Sequence, residues 1–155
     1  MKFDREREAH SRLFSYAAYK RTVSDYEYAA VRIAKPIDLS GVRGSSVPDP
    51  AGRGGAMLAE PPKQVRAKAG WCAAIEDAWD ECRAEDETSD RADRGLAYAM
   101  EKYFCLTGGR RCKDDNQKMR ELLQAECGIS SRTLYVWIEQ ITDSVIYHAA
   151  KRNLL

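Results

Sequence analysis

Residues 127–138 read Cys-Gly-Ile-Ser-Ser-Arg-Thr-Leu-Tyr-Val-Trp-Ile, and the reading of this stretch decides the fold. A preceding helix with Met119, Leu122, Leu123 and Cys127 on one face runs into Gly128, which takes the positive φ that ends a helix without a Cβ penalty. Ser130 is then a good N-cap for a second helix, and Ile129 stands where a hydrophobic staple would meet Leu134. Helix, tight turn and capped helix together are the pattern of a helix-turn-helix.

Downstream, Leu134, Ile138, Ile141 and Val145 recur at core-facing spacing, with Trp137 beside them. Ser131, Arg132, Tyr135, Val136 and Glu139 then project outward from the first turns, the part of a recognition helix that meets base edges in a major groove. The planar fork of Arg132 suits guanine and its charge suits phosphate, and the sequence does not choose between them. Ser130 and Thr133 offer hydroxyls to a backbone phosphate. A glycine-turned helix pair is also common in all-α proteins that bind no DNA, and Gln124 stands where such modules usually carry a small residue.

Upstream, a helix carrying Leu96, Met100, Tyr103 and Phe104 stops at Gly108-Gly109. Arg110, Arg111 and Lys113 follow as a basic loop that could lie along a phosphate backbone, partly offset by Asp114 and Asp115, either of which caps the next helix. Residues 87–155 therefore read as a three-helix DNA-binding unit.

Residues 1–86 read differently. Tyr16, Tyr19, Val23, Tyr26, Ala30 and Ile33 step by three and four, as do Val65, Lys68, Cys72, Ile75, Trp79 and Cys82. Two such seams predict an antiparallel helical hairpin. They are joined by a Gly/Pro-rich linker at 36–62 that holds all five prolines of the chain. A tyrosine ladder could stack on bases, but core packing is the commoner use of this spacing. The polar stretch from Glu85 to Asp93 separates the two units, with Thr88, Ser89 and Asp90 as candidate caps. The expected fold is all-α, a hairpin followed by a helix-turn-helix unit.

Composition sets limits on function. At 155 residues and a net charge of +1, no global basic field announces a polyanion. Residues 63–100 carry 6 basic and 9 acidic groups, so the middle of the chain is acidic. Five cysteines without a Cys-x-x-Cys pair, and only two histidines, give no zinc framework, and no cofactor or metal is expected. An odd cysteine count without a signal peptide fits the cytoplasm, and no apolar run approaches a membrane span. No nucleotide loop or nucleophile elbow points to an enzyme.

The layout resembles phage and prophage transcriptional regulators of the ArpU/RinA kind. It shares with them a tyrosine-rich N-terminal helix, a Gly/Pro loop, a second long helix and a C-terminal Ile129-Ser-Ser-Arg-Thr-Leu-Tyr-Val-Trp-Ile138 segment closing on Ala149-Ala-Lys-Arg-Asn-Leu-Leu155. The resemblance implies a sigma-factor-like DNA-binding module, with Arg132 and Thr133 among its contacts. It also implies activation of phage genes at promoter DNA, with host RNA polymerase as a partner. Half-buried seams also supply a surface on which two copies could pair. The competing reading is a phage-encoded protein-interaction factor, either an inhibitor of a host nucleoprotein or an assembly protein like a terminase small subunit.

Overall fold

The computed structural model describes residues 2–34, 61–91, 94–108 and 115–155, and the regular structure among them is all helical. α1 spans Lys2–Ala34, α2 Lys63–Thr88, α3 Leu96–Tyr103, α4 Asn116–Cys127 and α5 Ser131–Lys151. The protein is all-α. Residues 36–60 of the expected linker lie outside the described residues, and Pro62 stands at the N-cap position of α2.

Helices α2 to α5 end alike. Asp90, Cys105, Gly128 and Asn153 take φ of 54°, 52°, 64° and 56° just past their helices. The next N–H then donates to a carbonyl five residues back: Arg91 to Asp86, Leu106 to Glu101, Ile129 to Gln124 and Leu154 to Ala149, all at 3.0 or 3.1 Å. These bonds satisfy carbonyls that a helix end leaves open, and of the four residues only Gly128 adopts the left-handed turn without Cβ strain.

α2 is the central helix. It packs along α1 and α5 and also meets α3. For that reason its buried set is wider than a heptad seam. Cys72, Ile75 and Cys82 are buried as expected, but so are Trp71, Ala74, Ala78 and Asp86, while Val65, Lys68 and Trp79 are half-buried. Three neighbours cover a broader arc than one partner helix would. On α1, Tyr16 and Ala30 are buried and Tyr19, Val23 and Tyr26 half-buried, whereas the side chain of Ile33 lies outside the described residues. Ala9 and Leu13, which the seam omitted, complete a buried stripe with Tyr16.

The tyrosines belong to this helix pair. Tyr16 donates its hydroxyl to Glu76 Oε1 at 2.8 Å, and Lys20 Nζ meets the same oxygen at 2.5 Å. Tyr19 accepts from Arg12 Nη1 at 2.6 Å, and that guanidinium sits 5.4 Å from the ring centre of Trp71.

Packing also crosses the boundary expected at residues 86 and 87, because α2 meets α5 along much of its length. One side of this contact is a polar ladder. Gln140 donates to Glu85 at 2.6 Å, Ser144 to Glu81 at 2.5 Å and Arg152 to Asp77 at 2.5 Å, and His148 Nε2 lies 2.7 Å from Glu81. Residues four apart share a helix face, so 140, 144 and 148 on α5, with 152 at its C-cap, meet 85, 81 and 77 on antiparallel α2. A continuous core beneath it takes in Leu13, Ile75, Met100, Phe104, Leu123 and Ile141, from all parts of the described chain.

Candidate nucleic-acid interface

The turn between α4 and α5 has a defined local chemistry. Gly128 closes α4, and Ser130, in extended geometry (φ −75°, ψ 161°), caps α5 by accepting from Thr133 N at 3.1 Å. Gln124, where a small residue was expected, is half-buried and lends its carbonyl to the closure from Gly128 and Ile129. Ser130 Oγ and Thr133 Oγ1 are 3.0 Å apart. One hydroxyl must donate to the other, which leaves a single hydroxyl proton of the pair for any outside acceptor. Two independent phosphate contacts from Ser130 and Thr133 are therefore one at most.

Beyond the cap, α5 has two distinct faces. Leu134, Trp137, Ile138, Ile141 and Val145 are buried. Ser131, Arg132, Tyr135, Val136 and Glu139 are exposed, Tyr135 by 55% and Val136 by 53%. Arg132 makes no hydrogen bond or ion pair among the described residues. Arg120 of α4 lies 5.8 Å from the ring centre of Tyr135, so the ring carries a cation beside it. Arg110, Arg111 and Lys113 lie outside the described residues, as does Asp114, while Asp115 precedes α4 without a capping bond from its side chain.

α1 flanks this face, which the sequence did not foretell. A groove of about 460 Å³ opens between α1 and α5, with Phe3, Arg7 and His10 on one side and Tyr135, Glu139 and Thr142 on the other. A half-buried polar link between His10 and Thr142 lines it. Thr142 donates its only hydroxyl proton to Ile138 O at 2.7 Å, so His10 Nε2, 2.9 Å from the same oxygen, must be the donor. Burial holds His10 below its ordinary pKa, opposed by the nearby Glu6 carboxylate. Phe3, Arg7 and His10 share one helix face by their spacing, but nothing in a single sequence names what lies across from it.

Other reactive groups are engaged elsewhere. Burial pushes the Cys72 thiol up to about 11 and the Cys82 thiol up to about 12, which keeps both protonated and inert. Ser144 and His148 both bond Glu81, so the serine proton faces a carboxylate rather than the imidazole. Among the described residues no group of three His, Cys, Asp or Glu could hold a metal ion, and no helix is long and apolar enough to cross a membrane. Comparison with family models, curated proteins and solved structures finds no match to this chain.

Proposed function

We propose that this chain is a cytoplasmic, phage-associated transcription regulator that binds double-stranded DNA through the first turns of α5 in the major groove. The observation that carries the reading is Arg132. It is exposed and makes no hydrogen bond or ion pair among the described residues, on the first turn of a helix whose opposite face is buried, just past a tight and well-capped turn. A long cation left without a partner on such a turn is suited to bases or phosphates.

The near-neutral charge of the chain is no obstacle, because it is unevenly used. Asp77, Glu81 and Glu85 of the acidic middle are bonded to α5 in the polar ladder, away from Arg132 and Arg120. Host RNA polymerase and a second copy of the chain are the partners this reading implies. A second reading has its own support: Tyr135, Val136 and Phe3 are exposed apolar groups at one end of the molecule, as a protein-docking surface would have.

Selection of bound sequences from random DNA tests the proposal, followed by binding isotherms of Arg132→Ala and Tyr135→Ala on selected and scrambled duplexes. Both variants should fold normally and bind the selected site more weakly, by roughly 1 to 3 kcal/mol for a base-reading arginine. If no sequence is enriched and neither variant changes binding, the protein-docking reading replaces this one.

A further inference from the structure

The N-terminal turns of α1 run parallel to α5. Lys2 Nζ lies 3.9 Å from Glu139 Oε1, and eight residues later His10 bonds Thr142, so both helices advance in the same direction. Their N-terminal ends therefore lie at one end of the molecule. His10 level with Thr142 puts Lys2, eight residues earlier, level with Leu134, so α1 begins less than one turn behind the start of α5 and stands at its shoulder, the long Lys2 side chain reaching on to Glu139.

The dimensions of DNA say what meets that shoulder. A helix of about 10–12 Å diameter fills a major groove about 12 Å wide. A second helix packed about 8–10 Å to its side then lies over the phosphates that border the groove. Arg7 is on this side. It is exposed, makes no hydrogen bond or ion pair among the described residues, and lines the groove shared with Tyr135 and Glu139. Lys2 is shared between the two acids of this groove, 3.7 Å from Glu6 and 3.9 Å from Glu139, so it offsets part of their charge and Arg7 is left over for phosphate.

We propose that the first two turns of α1 form a second DNA contact, in which Arg7 binds a backbone phosphate at the groove edge while Lys2 is held between Glu6 and Glu139. This rests on the DNA-binding reading of α5. The contact is sequence-independent, so it holds the register of α5 without reading bases.

Fluorescence anisotropy of the full chain on a selected and a scrambled duplex, across a salt series, tests it. Arg7→Ala should weaken both duplexes alike, about fivefold at 0.15 M salt, and reduce the salt slope by about one, the loss of one neutralised phosphate. Arg7→Lys should retain the slope. Arg5→Ala removes the same charge from the neighbouring position on the other side of the helix and should leave the slope unchanged. Circular dichroism melts confirm that each variant is folded.

If Arg7→Ala leaves the slope and affinity intact while Arg132→Ala weakens binding, the α1 contact is wrong and the recognition helix stands. Equal losses in the Arg5 and Arg7 variants would overturn it in favour of a diffuse field. If the wild-type chain binds no duplex at about 0.1 M salt, the reading of α5 fails and the α1 contact fails with it.

Discussion

The carboxylate of Asp86, in the last turns of α2, accepts the backbone N–H of Leu96 at 2.8 Å. Its other oxygen accepts from Ala97 N at 2.9 Å, so one side chain caps the start of α3 from ten residues upstream. The caps expected at Thr88, Ser89 and Asp90 are not used for this. Thr88 bonds Ala84 O within α2, and Ser89 and Asp90 close the end of that helix. Asp86 is buried, and it sits where a Cβ on Gly95 would come within 2.2 Å of its Oδ1.

Asp86→Ala should cost about 2–3 kcal/mol, since two helix N–H groups lose their acceptor in a buried setting. Gly95→Ala should be destabilising in the wild-type background and nearly silent in Asp86→Ala, where the clashing carboxylate is gone. A double-mutant cycle by urea denaturation measures this coupling, and simple additivity would refute the geometry.

Trp71→Ala should cost about 3–5 kcal/mol and Trp79→Ala about 1–2 kcal/mol, although the heptad spacing singles out Trp79. Trp71 is 3% exposed at the centre of the helix pair. Trp79 is half-buried beside a groove, with the Arg83 guanidinium 4.4 Å from its ring centre. Equal losses in thermal or urea melts would mean that Trp79 is enclosed as fully as Trp71.

Thiol labelling should divide the cysteines. Cys72 and Cys82, buried and pushed up to about 11 and about 12, should resist iodoacetamide at pH 7.5 until the protein unfolds. Among the described residues Cys105 and Cys127, both half-buried, should react before them. Peptide mapping after a timed reaction checks the order, and early labelling of Cys82 would contradict the packing of α2.

The His10–Thr142 link should make stability fall in mild acid. The folded-state pKa of His10 lies below the unfolded value of 6.5, so above that pH both states are neutral and the link is intact. As pH drops below 6.5 the unfolded chain takes up a proton that the folded one resists, and stability declines until the folded pKa is passed. His10→Gln should remove this component. The difference between wild-type and variant unfolding free energies should therefore shrink from pH 7.5 to pH 5, and a constant difference would show that folding does not shift the His10 pKa.

Local patterns were legible without the structure. Helix type and the α4–α5 turn followed from nearest-neighbour chemistry: Gly128 needs no Cβ allowance, and the Ser130 hydroxyl is sited to accept Thr133 N. The buried face of α5 followed from periodicity, because Leu134, Ile138, Ile141 and Val145 cluster within a helix of known pitch. What lies opposite each face is a long-range matter, decided only in the tertiary structure. The ladder between α2 and α5, the capping of α3 by Asp86 and the placing of Phe3, Arg7 and His10 beside Tyr135 each join residues at least ten positions apart. A helix repeats its own geometry whatever its neighbours, so a single sequence states which side chains share a face. Which helix that face meets depends on how all of them bury apolar surface together, and that balance belongs to the whole chain.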